Sequence, residues 1–128
     1  MRQNKSKINV FIVDDDRNIL ALYSLYFKLY GLNVIGKANN GFDAIKQLKN
    51  HNIKPDVIII DYHMPLIDGI ETSKLILKIN KSFKIIMISG DPSVREKALT
   101  NGVIDFFEKP KNIGKLCQHI KNLFNHSN

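Results

Sequence analysis

At 128 residues the chain has single-domain length, and 44% hydrophobic with 24% charged residues is the balance of a globular protein able to bury a real core. No apolar run approaches the ~20 residues that span a bilayer, and Met1 to Lys7 lack the apolar middle of a secretory leader, so neither a membrane nor a secreted protein is expected. The net charge of +7 resides in basic ends and scattered lysines, without an arginine cluster or aromatic platform, so direct nucleic-acid binding is not expected. A single cysteine, Cys117, permits no internal disulfide and points to a reducing, cytoplasmic setting.

Strand and helix patterns then alternate along the chain. Ile8–Val13 is a first apolar strand that runs into Asp14-Asp15-Asp16. Residues 17–30 follow a helical period: Ile19, Leu22, Tyr23, Tyr26, Phe27 and Tyr30 fall on one broad arc, and Gly31 is placed to end the helix. Leu25 lies off that arc and Leu20 and Leu29 at its edges, which makes the surplus leucines a candidate docking surface. A short strand over 33–38 and an Asn39-Asn40-Gly41 turn lead to a second helix through about Asn50.

Val57 to Ile60 is a run of β-branched residues with no polar alternation, the pattern of a strand covered on both faces. It ends in Asp61, and Pro65 with Asp68-Gly69 prevents the strand from continuing. Asp68 is placed to cap a third helix carrying Ile70, Leu75, Ile76 and Ile79. Residues 84–88 form a fourth strand ending in Ser89-Gly90, and Asp91-Pro92 opens a fourth helix to Asn101 whose thin apolar stripe predicts loose anchoring. A fifth strand, 103–107, leads into Glu108-Lys109-Pro110, and a last helix, 112–124, carries Ile113, Leu116, Cys117, Ile120, Leu123 and Phe124 at helical spacing.

Five β-α units with right-handed crossovers make an α/β protein: an open five-stranded parallel sheet, flavodoxin-like order 2-1-3-4-5, (βα)5, with helices on both faces. The expected layout is a basic tail over residues 1–7 and a folded core over 8–125. In such a sheet the strand ends form the binding crevice, so one rim gathers Asp14, Asp15, Asp61, the Ser89 hydroxyl and the Lys109 ammonium. Converging carboxylates repel unless a cation joins them, and a few acids with an open side suit Mg2+ better than zinc or calcium. A metal, an ammonium and a hydroxyl around a strand-end aspartate are what phosphoryl transfer to a carboxylate requires.

These motifs resemble a response-regulator receiver domain, the phosphoacceptor half of a two-component system. The resemblance rests on Ile12-Val13-Asp14-Asp15, Asp61-Tyr62-His63-Met64-Pro65 with Asp68-Gly69, Ser89-Gly90, and Phe106-Phe107-Glu108-Lys109-Pro110. It implies that Asp61 is the phosphorylation site, with a sensor histidine kinase or histidine phosphotransfer domain as donor. It implies a Mg2+ held by Asp15, Asp61 and the backbone carbonyl of His63, with Asp14 assisting through water, and phosphoryl contacts from Ser89 and Lys109. It also implies a switch pair, Ser89 and Phe106, that reshapes the surface of the fourth helix, fifth strand and fifth helix for an unspecified downstream protein. That surface is also the candidate for a homodimer. Pro110, following Lys109, is the candidate for a cis peptide bond.

No turnover of an external substrate is expected, and no output domain follows, which suggests a stand-alone receiver or a shortened form of a longer one. Phe106 stands where a tyrosine could donate a hydrogen bond, and Ser89 where the family commonly has threonine. His63 and Asp91 occupy positions at which the family varies phosphoryl lifetime. Two rival readings remain: a haloacid-dehalogenase-like phosphohydrolase using Asp14 and Asp16, and a pseudo-receiver that docks partners without phosphorylation.

Overall fold

The computed structural model describes residues 7–109 and 112–124. Pro110, most of the basic tail and the end of the expected core therefore lie outside the described residues, and with Pro110 the cis-proline expectation.

Five parallel strands, β1 (Asn9–Val13), β2 (Asn33–Ala38), β3 (Val57–Asp61), β4 (Ile85–Ser89) and β5 (Asp105–Glu108), form one sheet in the order β2-β1-β3-β4-β5. They alternate with α1 (Arg17–Leu29), α2 (Gly41–Leu48), α3 (Gly69–Ile79), α4 (Arg95–Thr100) and α5 (Ile113–Phe124). This is the architecture that the alternating apolar patterns predict.

The two-residue period of the strands splits the core in two. Val10, Ile12, Val57, Ile59, Ile86 and Ile88 face α1 and α5, packing on Leu20, Phe27, Leu116, Cys117 and Ile120. Phe11, Val13, Ile58, Ile60, Ile85 and Met87 face the other way, under Ala44 and Leu48 of α2, Ile70 and Ile76 of α3 and Ala98 of α4. Every residue of β3 and β4 is buried, which is why their sequences show no polar alternation.

Two helices differ from expectation. The buried side chains of α1 are Leu20, Tyr23 and Phe27, whereas Leu22, Tyr26 and Tyr30 are 42%, 36% and 36% exposed. The inward face is thus rotated by roughly 60° from the arc that hydrophobicity traces, taking 3.6 residues per turn. The fourth helix begins later than its sequence suggests: residues 92–94 form a 3-10 turn capped by Asp91, and α4 proper buries only Ala98. The strand expected from Val103 starts at Asp105, and Val103 instead enters the core before the sheet begins.

Candidate acidic site at the strand ends

The site is assembled by the ends of β1, β3, β4 and β5. Asp14 follows β1 directly, and its backbone N–H donates to the Ala38 carbonyl at 3.1 Å, so the ladder with β2 extends one residue past the strand. Its carboxylate accepts the Asp16 backbone N–H at 3.0 Å. Asp61 ends β3 on the same side as Val57 and Ile59, with Gly69 packed over its backbone: a Cβ on Gly69 meets the Asp61 carbonyl, so only glycine lets the α3 start approach so closely. The Gly69 N–H donates to the Tyr62 carbonyl at 2.8 Å and holds that approach.

Asp14, Asp15 and Asp61 present carboxylate oxygens that all lie within 4.8 Å of one another. Asp14 and Asp61 are buried and Asp15 is exposed, so the cluster has a closed floor and an open side. Lys109 reaches in from beyond β5, its Nζ 3.6 Å from Asp61 Oδ1 and 3.9 Å from Asp14 Oδ2. Its backbone N–H donates to the Ser89 carbonyl at 2.7 Å, which fixes the lysine beside β4. Burial pushes the Asp61 carboxyl up to about 6, and the negative charge of Asp14 adds to this while Lys109 opposes it. Burial also raises Asp14, against the hydrogen bond from Asp16 and the charge of Lys109. Tyr23, under the cluster, is pushed up to about 12 by burial and by the same two carboxylates.

Ser89 is fully buried at the end of β4, and its Oγ accepts the Asp91 N–H at 3.0 Å. It projects from the same sheet face as Met87, the β5 neighbour of which is Phe106, so Ser89 and Phe106 are diagonal neighbours on that face. Phe106 is buried. His63 is exposed, with its ring edge-on to Tyr62 at 4.7 Å between centroids. Asp91 is engaged as a cap, its Oδ1 accepting Ser93 Oγ at 2.6 Å and Ser93 N at 3.0 Å.

Asp16, which the phosphohydrolase reading needs as a general acid, caps α1 instead: its Oδ1 accepts the N–H groups of Asn18 and Ile19 at 2.9 and 3.3 Å. The sequence shows no sign of a pair beside Phe106: Asp105 Oδ2 lies 2.6 Å from His119 Nε2, while its Oδ1 accepts the Phe106 N–H at 2.9 Å. The two residues are fourteen apart, and nothing local in the sequence announces their contact.

A hard divalent cation suits this donor set. Three carboxylates, two of them held above their ordinary range by burial, relieve both repulsion and desolvation by sharing a metal, and the exposed Asp15 side leaves room for retained water.

Comparison with known proteins agrees with this geometry. The family model described as "Response regulator receiver domain" matches residues 10–121. The chemotaxis protein CheY of Thermotoga maritima is 35% identical over 103 residues, covering 79% of this chain and 84% of that protein. A protein-glutamate methylesterase/protein-glutamine glutaminase of Halalkalibacterium halodurans is 38% identical over 112 residues, or 83% of this chain; the chain spans 31% of its length. Among solved structures, the Borrelia burgdorferi CheX-CheY-BeF3-Mg+2 complex includes a chain that superposes with a TM-score of 0.83 at 32% identity, covering 91% of this chain and 89% of that one. Motifs, sheet order and matches together make this chain a member of the response regulator receiver domain family.

Proposed function

We propose that the protein accepts a phosphoryl group on Asp61 from a phosphohistidine of a sensor histidine kinase or histidine phosphotransfer domain. The observation that carries this reading is Asp61 itself: a buried strand-end carboxylate 3.6 Å from the Lys109 ammonium and within 4.8 Å of two more acids. In the transfer an Asp61 oxygen forms the new P–O bond as the P–N bond to the donor breaks, and the departing imidazole keeps that electron pair and takes up a proton. Asp61 must be ionised to attack, and a carboxyl near 6 is mostly so at neutral pH.

Asp14, Asp15, Asp61 and the His63 carbonyl would hold Mg2+, which when bound neutralises charge on the phosphoryl oxygens. Lys109 draws in the anionic group and offsets charge as it transfers. Ser89 releases the Asp91 N–H and donates its hydroxyl to a phosphoryl oxygen, and the space it vacates admits a shift of Phe106. The change biases the α4-β5-α5 surface between two packings, and that surface meets the downstream protein or a second copy. The buried position of Phe106 beside Ser89 and the shallow anchoring of α4 support this route. The protein turns over no external substrate on this reading and works in the cytoplasm. Among the described residues no helix is long and apolar enough to cross a membrane.

Incubation with acetyl phosphate and Mg2+, followed by intact-mass spectrometry, tests the proposal. One added phosphoryl group that Asp61→Asn abolishes and Asp14→Asn merely slows is the expected result. A phosphoryl group retained in Asp61→Asn defeats it, and hydrolysis lost only with Asp14 favours the phosphohydrolase chemistry.

A further inference from the structure

Near the acidic cluster, between the start of α1, the end of β2 and the start of α2, lies an open-sided cavity of about 350 Å3 lined by Arg17, Leu20, Ala21, Lys37, Asn39 and Asp43. That volume is within the ~300–1,000 Å3 typical of small-molecule sites. None of Asp15, Asp61 and Lys109 lines it, so it is separate from the proposed phosphoacceptor site. Ala38 connects the two, because it lines the cavity and its carbonyl accepts the Asp14 N–H.

Its charges are unusual. Among the described residues neither Arg17 nor Lys37 has an ion-pair partner. Arg17 is moreover the first residue of α1, directly after the Asp16 cap, and no acid follows it in the first turn. The one acid in the wall is already served: Asp43 lies in the first turn of α2 and accepts Gln47 Nε2 at 3.1 Å, and the same amide donates to the Lys37 carbonyl at 2.8 Å. That amide bridges the Lys37 carbonyl and the Asp43 carboxylate.

We propose that this cavity binds a small hydroxylated phosphomonoester. Arg17 and Lys37 take the phosphate, the guanidinium as a two-pronged donor and the ammonium as a point charge. The second oxygen of Asp43 accepts from a hydroxyl of the ligand, and Leu20 and Ala21 meet its carbon skeleton. A phosphate there adds negative potential next to Asp14, and Ala38 links its occupancy to the acidic cluster.

Titration of the 15N-labelled protein with glycerol phosphate, and separately with inorganic phosphate, tests this. Saturable amide shifts at Arg17, Lys37, Ala38 and Asn39 are expected, retained in Asp61→Asn and weakened at least about tenfold in Arg17→Ala/Lys37→Ala, as loss of charged hydrogen bonds implies. Asp43→Ala weakens the ester and spares the inorganic ion. If that variant weakens neither, the site takes the free anion and the assignment to an ester is overturned. Absence of saturation, shifts unchanged in the double variant, or shifts centred on Asp61 and Lys109 overturns the site itself.

Discussion

Lys109 Nζ stands 3.6 Å from Asp61 Oδ1, and its backbone N–H is fastened to the Ser89 carbonyl at 2.7 Å, so the charge is delivered to the carboxylate from a fixed neighbour strand. Lys109 is one of the forces that hold Asp61 down against burial. Lys109→Met keeps much of the stem and removes the charge. We expect the Asp61 carboxyl to titrate above about 6 in this variant, read by 13C NMR of the carboxyl carbon. Phosphoryl uptake from acetyl phosphate should slow by roughly 10²-fold, the scale of losing one donor to a developing oxyanion. An Asp61 titration that does not move shows that the ammonium is not coupled to it.

Stability should fall as pH rises across the same group. An Asp61 carboxyl raised from 3.8 to about 6 means that between those values the folded protein holds more proton than the unfolded chain. The sign of the linkage is then negative: folding loses free energy as pH climbs through this window, and the loss is complete above it. At 1.36 kcal/mol per unit the Asp61 shift sets an upper bound of about 3 kcal/mol, and the raised Asp14 acts in the same direction. Urea denaturation at pH 4.5 and pH 7 without divalent ions should place the midpoint higher at the acidic value, roughly, by that linkage. Asp61→Asn should flatten the difference and be more stable than the parent at neutral pH. A midpoint that rises from acidic to neutral pH contradicts this account.

Mg2+ should reverse that penalty. An ion that binds the folded chain alone stabilises it by RT ln(1 + [L]/Kd), about 2.7 kcal/mol at a hundredfold excess over Kd. Thermal melts at neutral pH should therefore shift upward with Mg2+ in the parent, and much less in Asp15→Asn and Asp61→Asn. Asp15 is the informative choice because it is exposed: its removal disturbs no packing, so a lost Mg2+ response reports on the donor set. An undiminished response in both variants places the ion elsewhere.

The parts of the molecule that were readable in advance are those where one residue type has one structural solution. Val57 to Ile60 and Ile85 to Ile88 are buried on both faces and could only be central strands, and the acids, hydroxyl and lysine that follow strands are carried to one rim by the parallel topology. The orientation of α1 was not readable. Its leucines and aromatics nearly encircle the helix, and which of them turn inward is decided by the position of α5 and by β1 and β3 beneath, through contacts far apart in sequence. The Asp105–His119 pair is hidden for the same reason. Gly69 read as a turn residue, although its role is to admit the backbone of Asp61, which only the packed α3 start reveals.

Leu66, five residues past Asp61, carries a strain that a single substitution should release. Its φ of 76° lies in the left-handed region, and among described non-glycine residues it alone has a positive φ. For an L-residue with a Cβ this conformation costs roughly 1–2 kcal/mol. The side chain recovers little, being 77% exposed. Leu66→Gly removes the steric penalty and adds entropy to the unfolded chain, which offsets part of the gain. The net expectation is stabilisation by up to about 1 kcal/mol, seen as a higher urea midpoint with an unchanged slope. Leu66→Asn should recover part of it, since a short polar side chain tolerates this region. The phosphoryl uptake of both variants shows whether the strain serves the site: unchanged uptake with greater stability makes Leu66 a dispensable cost, while slower uptake makes the bent backbone between Pro65 and Asp68 part of what holds Asp61 in position.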